Sequence, residues 1–476
     1  MVHLSSMPAR ITAPELHTRY GWVHGGPHTL ADFRGQFVLL DFWTLGCINC
    51  HHILPDLRKL EEEFPRELVV LGIHSAKFTS EQETRSIRKA ILKFGIQHPV
   101  LNDADMAVWE QYAVRAWPTT ILIDPEGKII GQHSGEKVYE TIKPHLEAGI
   151  EEFKDRIKPS VAPYTKPEDD SGVLRFPTKL LPGPKNTLFI ADTGHHTIYN
   201  LRHDGRIEFK AGQGSPGFRD GDLLTAQFRD PQGMAWWGSE LLIADTGNHA
   251  IRSVDFRNGQ VTTLAGNQTL GYYWNEDQWN TPVLPNSPWD LTVVGNELFV
   301  ANAGNHQILR MDLAGDRQLY RWAGTGNEAL HDGPRQEACF NQPSGITHDD
   351  MYLYIADAEA SAIRRIHLLT GEVDTLVGEG LFTFGDEDGI AKSALLQHPI
   401  GVHVHQRNLY IADTYNGKVK VLNLDSGRVK TLAGGFDEPN DVLVHGDHLF
   451  LTNTHQHRLM RIHLTNYNSE ILPIFA

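Results

Sequence analysis

The chain has 476 residues, of which 40% are hydrophobic and 21% charged, and its formal net charge is -16. This composition is typical of a globular protein with two or more domains, and the acidic balance argues against broad nucleic-acid binding, which requires a basic face. The sequence contains no run of about 18 apolar residues, so no membrane span is predicted. The first residues lack the apolar core of a secretory signal. Three cysteines are too few for a disulfide scaffold, so we expect a reducing, cytoplasmic setting.

Strand and helix patterns alternate in the first part of the chain. Residues 36–43 predict a buried strand, 49–64 carry apolar residues at helical spacing, and 67–75 predict a second buried strand. A further helix is predicted over 81–96, and 119–135 predict a hairpin that turns at Asp124 to Gly127. The alternation predicts an α/β domain over residues 1–155, with its core at about 20–150.

A Cys-Ile-Asn-Cys motif, Cys47 to Cys50, lies at the first predicted junction of strand and helix. Unpaired N–H groups and the macrodipole at a helix N-terminus favour an anion, so Cys47 is predicted to be a nucleophilic thiolate. Cys50, one helical turn later, would be shielded and placed to attack a mixed disulfide.

The residues around this motif resemble the active site of thioredoxins. Asp41 stands where that family has a buried acid, Trp43 matches its packing tryptophan, and Pro55 matches the proline in its active-site helix. In the stretch AVRAWPTT, Pro118 and Thr119 resemble the loop whose cis-proline faces the dithiol. The helix over 81–96 and the stretch IQHPVLND resemble the inserted segment of the branch that includes peroxiredoxins and membrane-tethered thiol reductases.

The thioredoxin resemblance implies roles for seven side chains and no cofactor. Cys47 would attack, Cys50 would resolve and Asp41 would relay the proton. Pro118 would face the dithiol and bind the backbone of a protein client, with further client contacts assigned to Trp43, Trp117 and Thr119.

Three other interpretations of the motif remain open. A zinc site would need further Cys or His ligands at short spacing, and the adjacent His51 and His52 point in diverging helical directions. A peroxidase is suggested by Thr44, three residues before Cys47, but Leu40 stands where that family has a proline. The domain could also be a thioredoxin fold that serves for docking, because fold alone does not imply activity.

After a Pro-rich, charged stretch at 156–171, predicted to be a linker, the chain repeats six times over 172–476. Each repeat carries an anchor strand that ends in Asp or Asn, with four strands per repeat and a P-x-G/D stretch before the anchor. The six anchor positions are Asp192, Asp245, Asn302, Asp357, Asp413 and Asn453. Four-stranded units that repeat radially predict a six-bladed β-propeller.

The repeats resemble the NHL-repeat family, through Asn248-His249 and Asn305-His306. The repeated Asp and His side chains are predicted to satisfy backbone N–H groups rather than to bind metal. No irregular Asp, Glu or His constellation stands out, so no metal ligand is assigned, and Cys339 is predicted to be a core thiol. Between the second and third repeats a long loop concentrates aromatic residues, predicted either to bind a partner or to cover the propeller: Tyr272, Tyr273, Trp274, Trp279 and Trp289.

The order of the two domains resembles the family of NHL-repeat-containing protein 2 and its bacterial relatives. The resemblance implies a cytosolic protein with a redox or scaffold role. We expect a thiol–disulfide oxidoreductase of thioredoxin type whose propeller recruits a protein client, with neither membrane nor nucleic acid as partner. The alternatives are a non-catalytic interaction scaffold and, third, a metal enzyme centred on the propeller.

Overall fold

The structure, a computed structural model, describes residues 11–17, 21–272 and 279–475. The chain forms two compact units that divide after Asp170. Among the helices of the described residues, none is both long and apolar enough to cross a membrane.

The first unit is a seven-stranded mixed sheet with helices. Its strands are β1 (Ile11–Thr12), β2 (Gly21–His24), β3 (Phe37–Trp43), β4 (Leu68–His74), β5 (Val100–Asn102), β6 (Thr119–Ile123) and β7 (Lys128–Ser134). Its helices are α1 (Ile48–Glu63), α2 (Thr84–Phe94), α3 (Ala107–Gln111) and α4 (Val138–Glu152). The sheet order is β1-β7-β6-β3-β4-β5-β2, with β3 parallel to β4 and antiparallel to β6.

Strands β3 and β4 are buried at every position, which explains their continuous apolar sequences. The predicted strand and helix patterns are confirmed, with one difference: α2 begins at Thr84, three residues later than predicted. Ser80–Gln82 form a separate 3₁₀ turn before α2, in which the buried Glu81 side chain is drawn inward to accept hydrogen bonds.

The segment predicted to be a linker lies along the first unit. Backbone N–H groups of Lys158, Ser160 and Thr165 donate to carbonyls of Gly35, Arg66 and Gln97 at 2.8, 3.1 and 2.9 Å. The boundary between the units therefore falls at the end of this stretch, after Asp170.

The second unit is a six-bladed β-propeller, as predicted. The four main strands of each blade follow in chain order. Blade one has β8 (Pro177–Gly183), β9 (Thr187–Asp192), β10 (Thr197–Arg202) and β11 (Ile207–Ala211). Blade two begins with a short added strand, β12 (Gly221–Asp222), followed by β13 (Pro231–Trp237), β14 (Glu240–Asp245), β15 (Ala250–Asp255) and β16 (Gln260–Gly266). Blade three has β17 (Pro288–Val294), β18 (Glu297–Asn302), β19 (Gln307–Asp312) and β20 (Leu319–Ala323).

Blades four and five also begin with a short added strand. Blade four has β21 (Gly333–Pro334), β22 (Pro343–His348), β23 (Tyr352–Asp357), β24 (Ala362–His367) and β25 (Glu372–Val377). Blade five has β26 (Gly389–Ile390), β27 (Val402–His405), β28 (Asn408–Asp413), β29 (Lys418–Asn423) and β30 (Arg428–Gly434). Blade six has β31 (Pro439–His445), β32 (His448–Asn453), β33 (Arg458–His463) and β34 (Ser469–Leu472).

The ring closes between the sixth and the first blade. The Thr454 hydroxyl donates to the Pro177 carbonyl at 2.7 Å, and the Leu180 N–H donates to the Asp441 carboxylate at 2.9 Å. Apolar side chains of the two blades form a shared cluster that includes Leu188. Closure leaves each blade packed on two neighbours, which a repeat needs because it cannot bury its apolar faces alone.

Candidate active site

The two cysteines of the motif lie where β3 leads into α1. Cys47 caps the helix, and its Sγ accepts a hydrogen bond of 3.3 Å from the Cys50 backbone N–H. The Cys47 side chain is half-buried, Cys50 is 2% exposed, and both are free thiols. One sulfur is therefore accessible and the other is covered, an arrangement that suits a nucleophile and a resolving thiol.

Cys50 needs a base to become a thiolate. Burial raises the pKa of the Cys50 thiol well above its usual value, and the neighbouring Cys47 and the charge of Asp41 raise it further. Asp41 is 1% exposed, and burial raises the pKa of its carboxyl to about 7, with the charge of His98 lowering it and that of Glu61 raising it. A carboxyl that titrates near neutrality can take a proton from a thiol and release it again.

The predicted client-binding loop lies at the start of β6, beside the end of β3. The register pairs Phe42 with Thr119, and the Trp117–Pro118 peptide bond is cis. The Thr119 hydroxyl donates to the Ala116 carbonyl at 2.8 Å. The sheet thus brings Pro118 and Thr119 to the strand that leads into Cys47.

The three residues assigned to client contacts differ in accessibility. Trp117 is half-buried, donates from its indole N–H to the Ser75 carbonyl at 3.0 Å and packs on Trp109 with ring centroids 4.5 Å apart. Trp43 and Thr119 are buried, and the Trp43 ring meets His74 edge-on at 4.7 Å. Of the three, Trp117 is the most accessible, and the assignment of all three to client contacts stays a prediction.

A buried glutamate, Glu81, holds the loop that precedes Cys47. Its Oε2 accepts from the Thr44 hydroxyl at 2.6 Å, and its Oε1 accepts from the Gly46 N–H at 2.8 Å. The N–H groups of Lys77 and Phe78 also donate to Oε2, at 2.9 and 3.0 Å. Nothing in the local sequence marks Glu81, which lies well downstream of the dithiol and reads as part of a polar helix face.

The same contacts bear on the peroxidase and zinc interpretations. The Thr44 hydroxyl donates to Glu81, so it already has a structural role. His51 lies 2.8 Å from the Leu45 carbonyl, whereas His52 Nδ1 lies 2.5 Å from Glu136 Oε1. The two histidines therefore face different partners, and the described residues contain no group of three or more His, Cys, Asp or Glu side chains placed to hold a metal ion.

The aromatic loop of the propeller divides into separate parts. Tyr273 and Trp274 lie outside the described residues, and Tyr272 is exposed. Trp279 lines a cavity of about 610 Å³, with the Arg321 guanidinium 4.3 Å from its ring centroid. The sequence analysis placed Trp289 in this loop, and that was wrong. Trp289 belongs to β17, where it lines the centre of the propeller.

The repeated Asp or Asn has the structural role that was predicted. In every blade its side-chain oxygen accepts the N–H of a residue at the start of the same repeat, at 2.7 to 2.8 Å; the donors are Arg175, Arg229, Asn286, Asn341, Gln397 and Asp437. The histidines of the NHL-like stretches act between blades: His249 Nδ1 accepts from the Ser287 N–H at 3.1 Å and His306 Nδ1 from the Gln342 N–H at 3.0 Å. Cys339 is buried, with its Sγ 3.1 Å from the Thr325 hydroxyl.

Three blades add a buried cation to the anchor aspartate. Arg252 donates to Asp245 at 2.7 Å and, from its other nitrogen, to Asp220 of the added-strand loop at 2.7 Å. Arg364 and Lys420 occupy the same position in blades four and five. Where the anchor is Asn302 or Asn453, the position seven residues later is Leu309 or Met460. Blade one differs from both groups, because its anchor Asp192 has Tyr199 at that position and lies 2.7 Å from His195 instead.

A charged cluster that was not predicted lies at the centre of the propeller. Lys179 Nζ lies 2.7 Å from Asp290 and 3.6 Å from Asp441. These side chains occupy the third position of the P-x-G/D stretch, where the other blades have Gly233, Gly345 and Gly401. A Cβ at Gly345 would lie 2.2 Å from the Ile400 carbonyl oxygen, so neighbouring inner strands approach too closely for side chains there. The departure of three repeats from glycine was the sequence signal for this cluster.

The comparisons with known proteins agree with both units. A sequence model of the AhpC/TSA family matches residues 11–132. Thiol-disulfide oxidoreductase ResA from Geobacillus thermodenitrificans is 30% identical over 26% of this chain and 70% of its own length. The first unit is therefore a thioredoxin-like domain that is similar to known thiol–disulfide oxidoreductases.

Relatives that extend over both units include the following two. Protein SUPPRESSOR OF QUENCHING 1, chloroplastic, from Arabidopsis thaliana is 38% identical over 90% of this chain, which spans 43% of that protein. NHL repeat-containing protein 2 from Homo sapiens is 33% identical over 93% of this chain, which spans 69% of that protein. With its thioredoxin-like domain and six-bladed propeller in the same order, the chain belongs to the NHL repeat-containing protein 2 family.

Proposed function

We propose that the thioredoxin-like domain catalyses thiol–disulfide exchange on a protein client, with Cys47 as the nucleophile and Cys50 as the resolving thiol, and that the propeller selects the client. The observation that carries this proposal is the contrast between a half-buried Cys47 at the N-terminus of α1 and a fully covered Cys50 with the Asp41 carboxyl behind it.

The exchange proceeds in two steps, written in the direction that reduces the client. The Cys47 thiolate attacks one sulfur of a client disulfide, the client S–S bond breaks, and the other client sulfur leaves as a thiolate. Cys50 gives its proton to Asp41 and attacks Cys47 Sγ, so that a Cys47–Cys50 disulfide forms and the second client thiolate leaves. Two electrons pass from the dithiol to the client, and the reverse sequence oxidises the client.

Client contacts are divided between the two units. Near the dithiol, Trp117 provides a half-buried aromatic surface next to Pro118. On the propeller, the cavity beside Trp279 is lined by three arginines, Arg310, Arg321 and Arg335, and by two aspartates, Asp312 and Asp316. Aromatic and arginine side chains are the residue types enriched at binding hot spots, and this cavity offers a client an aromatic ring beside charges of both signs.

The test is a disulfide trap. Cys50→Ser protein exposed to oxidised glutathione should hold one glutathione on Cys47, detected by intact mass, because the resolving thiol is gone. Wild-type protein should instead form an internal disulfide and release the glutathione. The Cys47→Ser, Cys50→Ser double variant is the matched control and should hold none.

The outcome also separates the oxidoreductase from a non-catalytic scaffold. Equal adduct formation in Cys50→Ser and in the double variant would contradict thiol exchange at Cys47. A wild-type protein that never closes the Cys47–Cys50 disulfide would do the same, and the interaction scaffold would then be the better description.

A further inference from the structure

Asp41 has a buried histidine as its neighbour because the facing residue has no side chain. The parallel register pairs Asp41 on β3 with Gly72 on β4. Paired residues point to the same face of a sheet, and a Cβ at Gly72 would lie 3.4 Å from His98 Nε2 and 3.1 Å from Trp43 Nε1. The space that a side chain at position 72 would occupy is therefore bordered by the ring nitrogen of His98, on the face that carries the Asp41 carboxyl.

Three polar atoms at this point lack hydrogen-bond partners among the described residues: Asp41 Oδ1, His98 Nε2 and Trp43 Nε1. The Trp43 indole N–H can only donate, whereas Asp41 and His98, in side chains that are 1% and 3% exposed, can each take up and release a proton. Burying a polar atom without a partner costs free energy, so such atoms require an explanation. A proton that moves between Asp41 and His98 when the two side chains come within hydrogen-bond distance is one, because each can accept it in turn.

The other ring nitrogen of His98, Nδ1, contacts a second carboxylate, that of Glu61. His98 Nδ1 lies 2.8 Å from Glu61 Oε1, and the Glu61 side chain, 11% exposed, lies on α1, the helix that Cys47 caps. Cys50, Asp41, His98 and Glu61 thus follow one another from the buried thiol to a carboxylate that reaches solvent.

We propose that His98 and Glu61 carry the proton of Cys50 between Asp41 and solvent when the buried dithiol opens and closes. This inference rests on the proposed exchange reaction. It assigns to His98 and Glu61 a proton-transfer role that comes into play only when Cys50 acts.

The transfer balances over one cycle. When the disulfide forms, Asp41 passes the Cys50 proton to His98 Nε2, and His98 releases its Nδ1 proton to Glu61, which loses it to water. When the disulfide is reduced, the same protons move in the opposite direction. His98 is therefore protonated on Nδ1 in the dithiol protein and on Nε2 in the disulfide protein.

Few other titratable groups face this route. Asp41 is faced by Cys50 and Glu61 from α1 and by His98 from the loop before β5, and its carboxyl pKa of about 7 reflects burial with opposing effects of His98 and Glu61. Beyond Glu61 lies Tyr164, whose hydroxyl accepts the Val70 N–H at 3.0 Å and whose pKa is raised by burial and by the charge of Glu61. A phenol of raised pKa stays protonated at neutral pH and does not compete for the proton.

The test separates attack from resolution with 5,5′-dithiobis(2-nitrobenzoate) on full-length protein in a Cys339→Ser background. Cys47 attack releases one coloured thiolate, and Cys50 resolution releases a second in a slower phase. His98→Gln and Glu61→Gln should leave the first phase unchanged and slow the second at least about tenfold. His133→Gln, a buried histidine that contacts the Glu136 carbonyl instead, should change neither phase.

Two results would overturn the inference in distinguishable ways. A second phase of wild-type rate in His98→Gln or in Glu61→Gln would refute the proton route while the exchange reaction stands. A wild-type protein that shows no second phase would refute both. Nitrogen-15 NMR of wild-type protein gives an answer that needs no variant to fold, because a His98 tautomer that is the same in the dithiol and disulfide forms contradicts the route.

Discussion

The Glu81 carboxylate accepts a hydrogen bond of 2.6 Å from the Thr44 hydroxyl, three residues before the nucleophilic cysteine. Glu81 is fully buried and also accepts the Gly46 N–H. The loop that leads into α1 is thus held from the side by a charge on a distant turn. Charge-assisted hydrogen bonds of this kind are stronger than neutral ones, so the position of Cys47 depends on Glu81.

Glu81→Gln should loosen this loop. The amide keeps one acceptor oxygen and places an NH₂ group against N–H donors, so we expect the free energy of unfolding to fall by about 1–3 kcal/mol and the Cys47 attack phase to slow. Urea denaturation and the first phase of thiolate release measure the two effects. Glu83→Gln, on an exposed residue nearby, is the matched control, and an identical response of both variants would contradict the role of Glu81.

Asp41→Asn should remove the pH dependence of Cys50 resolution. Because the Asp41 carboxyl has a pKa of about 7, the second phase of the wild type should slow as pH falls below 7, when the base becomes protonated. The variant should be slow at every pH. Asp103→Asn changes a buried carboxylate that is bound instead by Ser75 and by the start of α3, and it should keep the wild-type profile.

The same substitution should stabilise the protein in alkaline solution. The folded-state pKa of Asp41 is raised from 3.8 to about 7, so its contribution to stability is complete below pH 3.8 and is lost as pH rises to 7. Asp41→Asn should therefore exceed the wild type by up to about 4 kcal/mol at pH 8 and by little at pH 4. Urea denaturation across this pH range measures the difference in the free energy of unfolding between Asp41→Asn and the wild type. A difference that decreases as pH rises would contradict the prediction.

Replacing both Arg252 and Asp245 of the second blade should destabilise the protein less than replacing Arg252 alone. Arg252→Met leaves Asp245 buried without its cation and should cost about 3–5 kcal/mol. Adding Asp245→Asn to Arg252→Met recreates the Asn and apolar combination found at Asn302 and Leu309, so the double variant should recover part of that loss. Strictly additive losses in chemical denaturation would contradict this coupling.

Lys179 should stabilise the centre of the propeller in a pH-dependent way. Burial already raises the pKa of Asp290, and that of Asp441 to about 7, while the charge of Lys179 lowers both. Lys179→Met should therefore destabilise the protein more at pH 8, where Asp441 is ionised, than at pH 5, where protonation of Asp441 relieves the unpaired charge. Thermal unfolding at the two pH values tests this, with the exposed Lys210→Met as the control; equal shifts at both pH values would contradict it.

Local patterns determined most of the fold. The apolar run before Cys47 and the helical spacing after it placed the dithiol at the junction of β3 and α1, because a strand and an amphipathic helix each impose a short-range period. The repeat of the anchor strands determined the six blades, because each unit buries its faces only against another copy. The structural role of the repeated aspartates also followed from their position at strand ends.

Only the tertiary structure decided which distant side chains meet. Glu81 looked like part of a helix until its contacts with Thr44 and Gly46 drew it inward. His98 reaches the side of Asp41 because Gly72 pairs with Asp41 across the sheet, and Lys179 meets Asp290 and Asp441 because the ring closes. In each case burial and electrostatics act between residues far apart in the chain. Strand register and ring closure bring these residues together, and neither can be predicted from the short-range periodicity of the sequence.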